Sequence, residues 1–179
     1  MKLLVPVGQS GGHLHAVRQI VRTCRPESTE VLLLNVRPPL KVGVIDRSTG
    51  AGRVAAAQRE YGEDLMRPAM LALDAAHVHY SSEVGFGPVV EMILHYARMK
   101  DCEAIVIGVE ANANPSSLSP ASVASRVLQL SEIPVAVVND AGVEIGARPV
   151  TISRYRSQYG SGVKRSTRKS MNALTFGET

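Results

Sequence analysis

Short apolar runs alternate with longer stretches in which apolar residues recur every third or fourth position, and this rhythm holds to about residue 139. Lys2 to Val7, Val31 to Val36, Val78 to Val84, Ala104 to Val109 and Pro134 to Val138 read as five strands. In the first intervening helix Ala16, Val17, Ile20, Val21 and Cys24 share a face while Arg18, Arg22 and Arg25 point away. Val89, Val90, Ile93, Leu94 and Ala97 repeat that spacing in the third helix. The second, about Arg53 to Ala75, contains Pro68, which cannot donate to the helical ladder and is expected to kink or restart it. Ser119 and Pro120 read as the cap and first residue of a fourth helix, which would leave the amides of Ala121 and Ser122 pointing outward.

Strand, helix, strand alternation of this kind predicts an α/β fold: a doubly wound, five-stranded parallel sheet with right-handed crossovers and helices on both faces. Ligands bind such sheets beyond the carboxyl ends of the strands, where the winding reverses. The loops after Val7, Val36 and Val109 are therefore where a site is expected.

Composition fits that architecture. The 179 residues are 45% hydrophobic, with no Trp, two Phe and five Tyr, so Val, Ile, Leu and Ala carry the packing. Met1 and Lys2 are followed by only a handful of apolar residues, and no run of about 18 apolar residues occurs, which predicts a cytoplasmic protein without a membrane segment. Cys24 and Cys102 have no metal-ligand spacing and imply no disulfide framework. Charge divides the chain. Residues 1–139 hold 13 Lys and Arg against 13 Asp and Glu, whereas residues 140–179 hold 7 against 3, so the net +4 lies in the last 40 residues. We expect an α/β domain over 1–139 and a basic, flexible extension over 140–179, in which Pro149-Val150-Thr151-Ile152 could add one short strand. Arg154, Arg156, Lys164, Arg165, Arg168 and Lys169, interleaved with Tyr155 and Tyr159, are candidates for touching a polyanion such as nucleic acid.

Other chemical signals are weak. Gly50-Ala51-Gly52 fits a dinucleotide fingerprint in spacing, but it follows the second strand rather than the first and reads as a crossover loop. His13-Leu14-His15 and His77-Val78-His79 would each aim two imidazoles to one face if they lay on strands, but no third metal ligand accompanies them. His95 reads as a surface residue. Ser10 with His13 and His15 lacks an orienting carboxylate, and the chain has no Gly-x-Ser-x-Gly elbow, so no catalytic residue and no metal site is expected.

At the predicted loops the sequence resembles the universal stress protein family. The ordered features are Leu4-Val5-Pro6-Val7 running into Gln9-Ser10, then Leu33-Leu34-Asn35-Val36, Gly85-Phe86-Gly87-Pro88, Ile105-Val106-Ile107-Gly108, and Ser131-Glu132-Ile133-Pro134-Val135-Ala136-Val137-Val138. The resemblance implies an adenine nucleotide alpha-hydrolase-like domain over residues 1 to about 139. Nucleotide-binding members carry an Asp at the end of the first strand and a Gly-x-x-Gly, nine residues, Gly-Ser/Thr phosphate loop. Gly108 and Ser122 match its first and last positions, but Gly8 replaces the Asp, Ala111 and Ala121 replace the second and third glycines, and Glu110 adds a negative charge. The resemblance thus implies a vestigial nucleotide site at Ser10, Val36, Gly108, Ala121 and Ser122, with no cofactor held tightly. It also implies a homodimer in which Val135, Ala136, Val137 and Val138 pair at a sheet edge with a twofold mate. The function expected is a stress-response role exercised by binding and dimerisation rather than catalysis. The alternatives are an ATP-binding or slowly ATP-hydrolysing switch of the same family, and a nucleic-acid-associated protein acting through the basic extension.

Overall fold

The computed structural model describes residues 1–38, 50–110, 119–140 and 144–147. Its order is β1 (Lys2–Val7), α1 (His13–Thr23), a 3-10 turn (Pro26–Ser28), β2 (Glu30–Arg37), α2 (Gly50–Ala75), β3 (His79–Phe86), α3 (Val89–Met99), β4 (Ala104–Gly108), α4 (Val123–Leu130), β5 (Val135–Val138) and β6 (Glu144–Ala147). The strands lie side by side as β3-β2-β1-β4-β5-β6. β1 to β5 are all parallel, as the alternation predicts, and β6 runs antiparallel to β5.

Period-two alternation within the central strands sorts the core into two layers. Leu3, Val5, Val7, Val31, Leu33 and Val106 face Ala16, Val17 and Ile20 of α1 and Met66, Ala69 and Leu73 of α2. Leu4, Leu32, Leu34, Ile105, Ile107, Val135 and Val137 face Val90, Ile93 and Ala97 of α3 and Ala124 and Val127 of α4. A central strand buried on both sides has no polar face, which is why its sequence is a continuous apolar run. Truncating Leu33 or Ile105 to Ala would cost about 2–5 kcal/mol.

Four expectations are corrected. Of the two effects expected of Pro68, a restart does not occur, since α2 runs unbroken over Gly50–Ala75; Pro68 is exposed while Met66, Ala69 and Leu73 anchor the helix across it. Gly50-Ala51-Gly52 opens α2 rather than forming a crossover loop, because Ala55 to Glu60 continue directly as good helix formers. The cap of α4 is Ser122, whose hydroxyl accepts from the Ser125 amide at 3.1 Å, and Ser119-Pro120-Ala121-Ser122 is instead a turn closed by Ser122 N–H donating to the Ser119 carbonyl at 2.9 Å. Proline at the second position of a four-residue turn suits that geometry as well as it suits a helix start. Finally, β5 is not the edge of the sheet: β6 pairs with it, Ala136 opposite Ala147 and Val137 opposite Gly146. The sheet therefore continues beyond residue 139, while Pro149 to Ile152 and the basic residues from Arg154 to Lys169 lie outside the described residues.

Candidate functional site at the switch point

The winding reverses between β1 and β4, which are neighbours in the sheet but send their following helices to opposite faces. Three of the expected site residues lie at this carboxyl end: Ser10 in the loop after β1, Val36 near the end of β2, and Gly108 closing β4. Ala121 and Ser122 stand just before α4, which returns the chain from β4 to β5. Gly8, Gln9 and Ser10 are exposed, Val36, Gly108 and Ser122 are half-buried, and Ala121 is exposed.

The β1 and β4 loops touch. A methyl group on Gly12 would lie 2.7 Å from the Gly108 carbonyl oxygen, and one on Gly108 would overlap the Gly12 carbonyl oxygen. Backbone thus meets backbone where the two windings part, a contact only glycine permits. Immediately after it, His13 opens α1 with its side chain buried and Nδ1 3.3 Å from the Ser10 carbonyl. A carbonyl only accepts, so Nδ1 carries the proton and Nε2 is left as a buried acceptor with no partner among the described residues. Burial, more than anything else, holds this imidazole's pKa below its usual 6.5; the Ser10 carbonyl opposes the shift and His15 adds to it. Because α1 is helical, His13 and His15 project to different sides, His13 inward and His15 toward the half-exposed flank. His77 sits in a turn with φ of 54°, outside β3, so the second histidine pair does not share a strand either. Among the described residues no group of three His, Cys, Asp or Glu side chains is placed to hold a metal. Among the described residues Cys24 and Cys102 form no disulfide; both are buried, and burial raises the Cys102 thiol.

The turn before α4 uses its own polar groups. Ala121 N–H donates to Ser119 Oγ at 3.3 Å, Ser122 N–H to the Ser119 carbonyl at 2.9 Å, and Ser122 Oγ accepts from Ser125. The two amides expected to point outward are therefore directed back into the turn.

Sequence reading missed a polar and aromatic rim where β2 meets α2. Asn35, buried within β2, donates through Nδ2 to the Val7 carbonyl at 2.8 Å and ties the ends of β1 and β2 together. Its Oδ1 faces α2 at Gly62, where a Cβ would come within 2.8 Å. Two residues on, the Arg37 guanidinium lies 4.7 Å from the Tyr61 ring centroid, and the Tyr61 hydroxyl accepts from Gln9 Nε2 at 3.4 Å. Arg59 sits 5.9 Å over Phe86. Asn35 alone was legible, as a single amide inside an otherwise apolar strand; the Arg37–Tyr61 pair joins residues 24 positions apart and left no local pattern.

An open, mostly parallel α/β sheet with a topological switch point between β1 and β4 defines a doubly wound domain, a class whose ligands bind at that end of the sheet. The sequence profile described as the Universal stress protein family matches residues 1–139, and the chain belongs to that family. Solved structures agree on the fold. A universal stress protein family member from Burkholderia pseudomallei is 19% identical, with 76% of this chain and 94% of that one covered and a TM-score of 0.58. A family protein from Arabidopsis thaliana, solved with AMP bound, is 14% identical, with 78% and 91% covered and a TM-score of 0.58. A universal stress protein in complex with cAMP is 16% identical, with 77% and 96% covered and a TM-score of 0.59. No curated protein sequence matched. Among the described residues no helix is long and apolar enough to cross a membrane.

Proposed function

We propose that this chain is a non-catalytic member of the universal stress protein family, acting in the stress response by binding, with a nucleotide site that has lost its grip on phosphate. The observation that carries this reading is the Ser119–Ser122 turn, whose two amides and capping hydroxyl are all committed to partners within the turn and the first turn of α4. An incoming phosphate would have to displace those bonds, and each exchange returns only the difference between two hydrogen bonds. Gly8 at the end of β1 removes the carboxylate with which nucleotide-binding relatives hold their ligand, and Glu110, exposed just beyond β4, adds repulsion toward an anion. Among the described residues no nucleophile stands beside an oriented base: the His13 ring is turned to the Ser10 carbonyl rather than to its hydroxyl.

A second reading, retained nucleotide binding, is favoured by the convergence of Ser10, Val36 and Gly108 at one end of the sheet, and by the AMP and cAMP held by two structural neighbours. Calorimetry of the purified chain against ATP, AMP and cAMP separates the two. Dissociation constants weaker than about 0.1 mM, or about −5.5 kcal/mol, are expected for all three. Low-micromolar binding of any of them would overturn the first reading in favour of the second.

A further inference from the structure

Charge is laid out across the carboxyl end of the sheet in the reverse of what a phosphate loop after β4 would need. The β4 side carries the exposed carboxylate of Glu110. On the other side two guanidinium groups, Arg37 at the end of β2 and Arg59 on α2, lie over the rings of Tyr61 and Phe86 at 4.7 and 5.9 Å. Neither meets a carboxylate among the described residues. Arg37 is the more telling of the two, because it is half-buried and a cation partly stripped of water costs free energy until an anion answers it. Its Nε is buried without a partner among the described residues, and so is Oε1 of Gln58 on the facing helix. Gln58 lies one helical turn beyond Gly62 and Arg37 two strand residues beyond the Asn35 that Gly62 faces, steps of about 5.4 and 6.6 Å, so the two side chains stand at about the same height. The terminal nitrogens of Arg37 make no hydrogen bond among the described residues, and Tyr61 beside them is steadied by Gln9 from the loop after β1.

We propose that Arg37, held over Tyr61, is an anion-binding site that receives the carboxylate or phosphate group of a small ligand at the carboxyl end of the sheet. A guanidinium presents two parallel N–H groups to two oxygens, a geometry that suits both kinds of oxyanion. Pairing of Nε with Gln58 Oε1 as the anion seats would satisfy both orphaned atoms, and Arg59 adds a second positive charge to the same rim. The proposal rests on the reading that the β4 loop has lost its grip on phosphate, and it gives the same end of the sheet an oxyanion site on the opposite side.

The test titrates the 15N-labelled full chain with sodium phosphate, sodium benzoate and neutral benzamide at constant ionic strength. One or both anions should give saturable shifts at the amides of Arg37 and Tyr61 in the millimolar range and benzamide none, and which anion binds identifies the source of the group. Arg37→Met, and Arg37→Gln as a variant that keeps a polar side chain at the half-buried position, should weaken that binding about tenfold or more, the worth of a hydrogen bond to a charged group. Arg67→Met removes a charge that is exposed and already paired with Asp64 further along α2, and should leave the binding unchanged. Saturable shifts with neither anion, or binding that is equal in wild type and in whichever Arg37 variant melts as a folded domain, would overturn the proposal. The two claims fail separately: low-micromolar ATP binding that survives Arg37→Gln overturns the loss of phosphate at the β4 loop, whereas anion shifts indifferent to Arg37 overturn the anion site.

Discussion

Gly12 and Gly108 face each other backbone to backbone, so that a Cβ on the first would lie 2.7 Å from the carbonyl oxygen of the second. This contact seats the start of α1 against the end of β4 and fixes the two loops that flank the switch point. Gly108→Ala must push that backbone apart, and overpacking of this kind costs about 1–3 kcal/mol. In a chain of this length each kcal/mol lowers the melting temperature by about 2–4 °C. Gly8→Ala is the matched control, because a Cβ there meets nothing within 4 Å among the described residues, and it should stay within about 0.5 kcal/mol of wild type. Equal melting temperatures for Gly108→Ala and wild type would show that the two loops yield freely.

Next to this contact, His13 gives the fold a pH dependence whose sign is fixed by burial. Its folded-state pKa lies below the unfolded value of 6.5, chiefly through desolvation, so the unfolded chain binds the proton more readily. Its contribution to stability is complete above 6.5 and is lost as pH falls from there through the lowered value. A charged imidazole would also stand at the positive end of α1, a helix with no acidic residue in its first turn. Urea midpoints measured downward from pH 6.5 should therefore fall more steeply for wild type than for His13→Asn, which has nothing to titrate at that position. Parallel curves for the two proteins would remove His13 as the source.

How far the fold was legible follows from burial. β1, β2, β4 and β5 announce themselves as runs of Val, Ile, Leu and Ala because both faces of each are covered, leaving only boundary shifts of a residue or so. β6 was invisible for the opposite reason: Glu-Ile-Gly-Ala is too short and too mixed to show a period, and it is a strand only because β5 offers it a ladder. Ser119-Pro120 satisfies the rules for a helix start and for a turn alike, and the choice depends on which carbonyl Ser122 finds. The site was legible in place but not in detail. Its loops follow from topology, whereas the link from Gln9 through Tyr61 to Arg37 joins side chains from the β1 loop, α2 and β2 that only the folded chain brings within reach.

Restoring the phosphate loop should create nucleotide binding if its losses are what prevent it. Gly8→Asp meets no obstacle among the described residues, where a Cβ at that position has no neighbour within 4 Å. A carboxylate accepting a hydrogen bond from a ligand hydroxyl is worth about 1.5–3 kcal/mol, or roughly 10- to 150-fold in affinity. Neutralising the exposed Glu110 as Gln removes a repulsion of about 1 kcal/mol for unit charges 4 Å apart in water, close to fivefold. Ala111→Gly and Ala121→Gly restore the two glycines of the relatives' loop, and at 121 the loss of Cβ also lets the Ser119–Ser122 turn trade its internal bonds for phosphate oxygens. Because these substitutions are all aimed at one ligand, their effects need not add, and the combined variant is the decisive one. Gly8→Asp, Glu110→Gln, Ala111→Gly and Ala121→Gly together should bind ATP at least about tenfold more tightly than wild type in calorimetry. The gain should vanish for the same variant with Asp at 8 returned to glycine if the carboxylate carries it. A combined variant that binds no better than wild type, while melting as a folded domain, would show that the obstacle lies elsewhere, with the Arg37–Tyr61 pair at the end of β2 the next element to open.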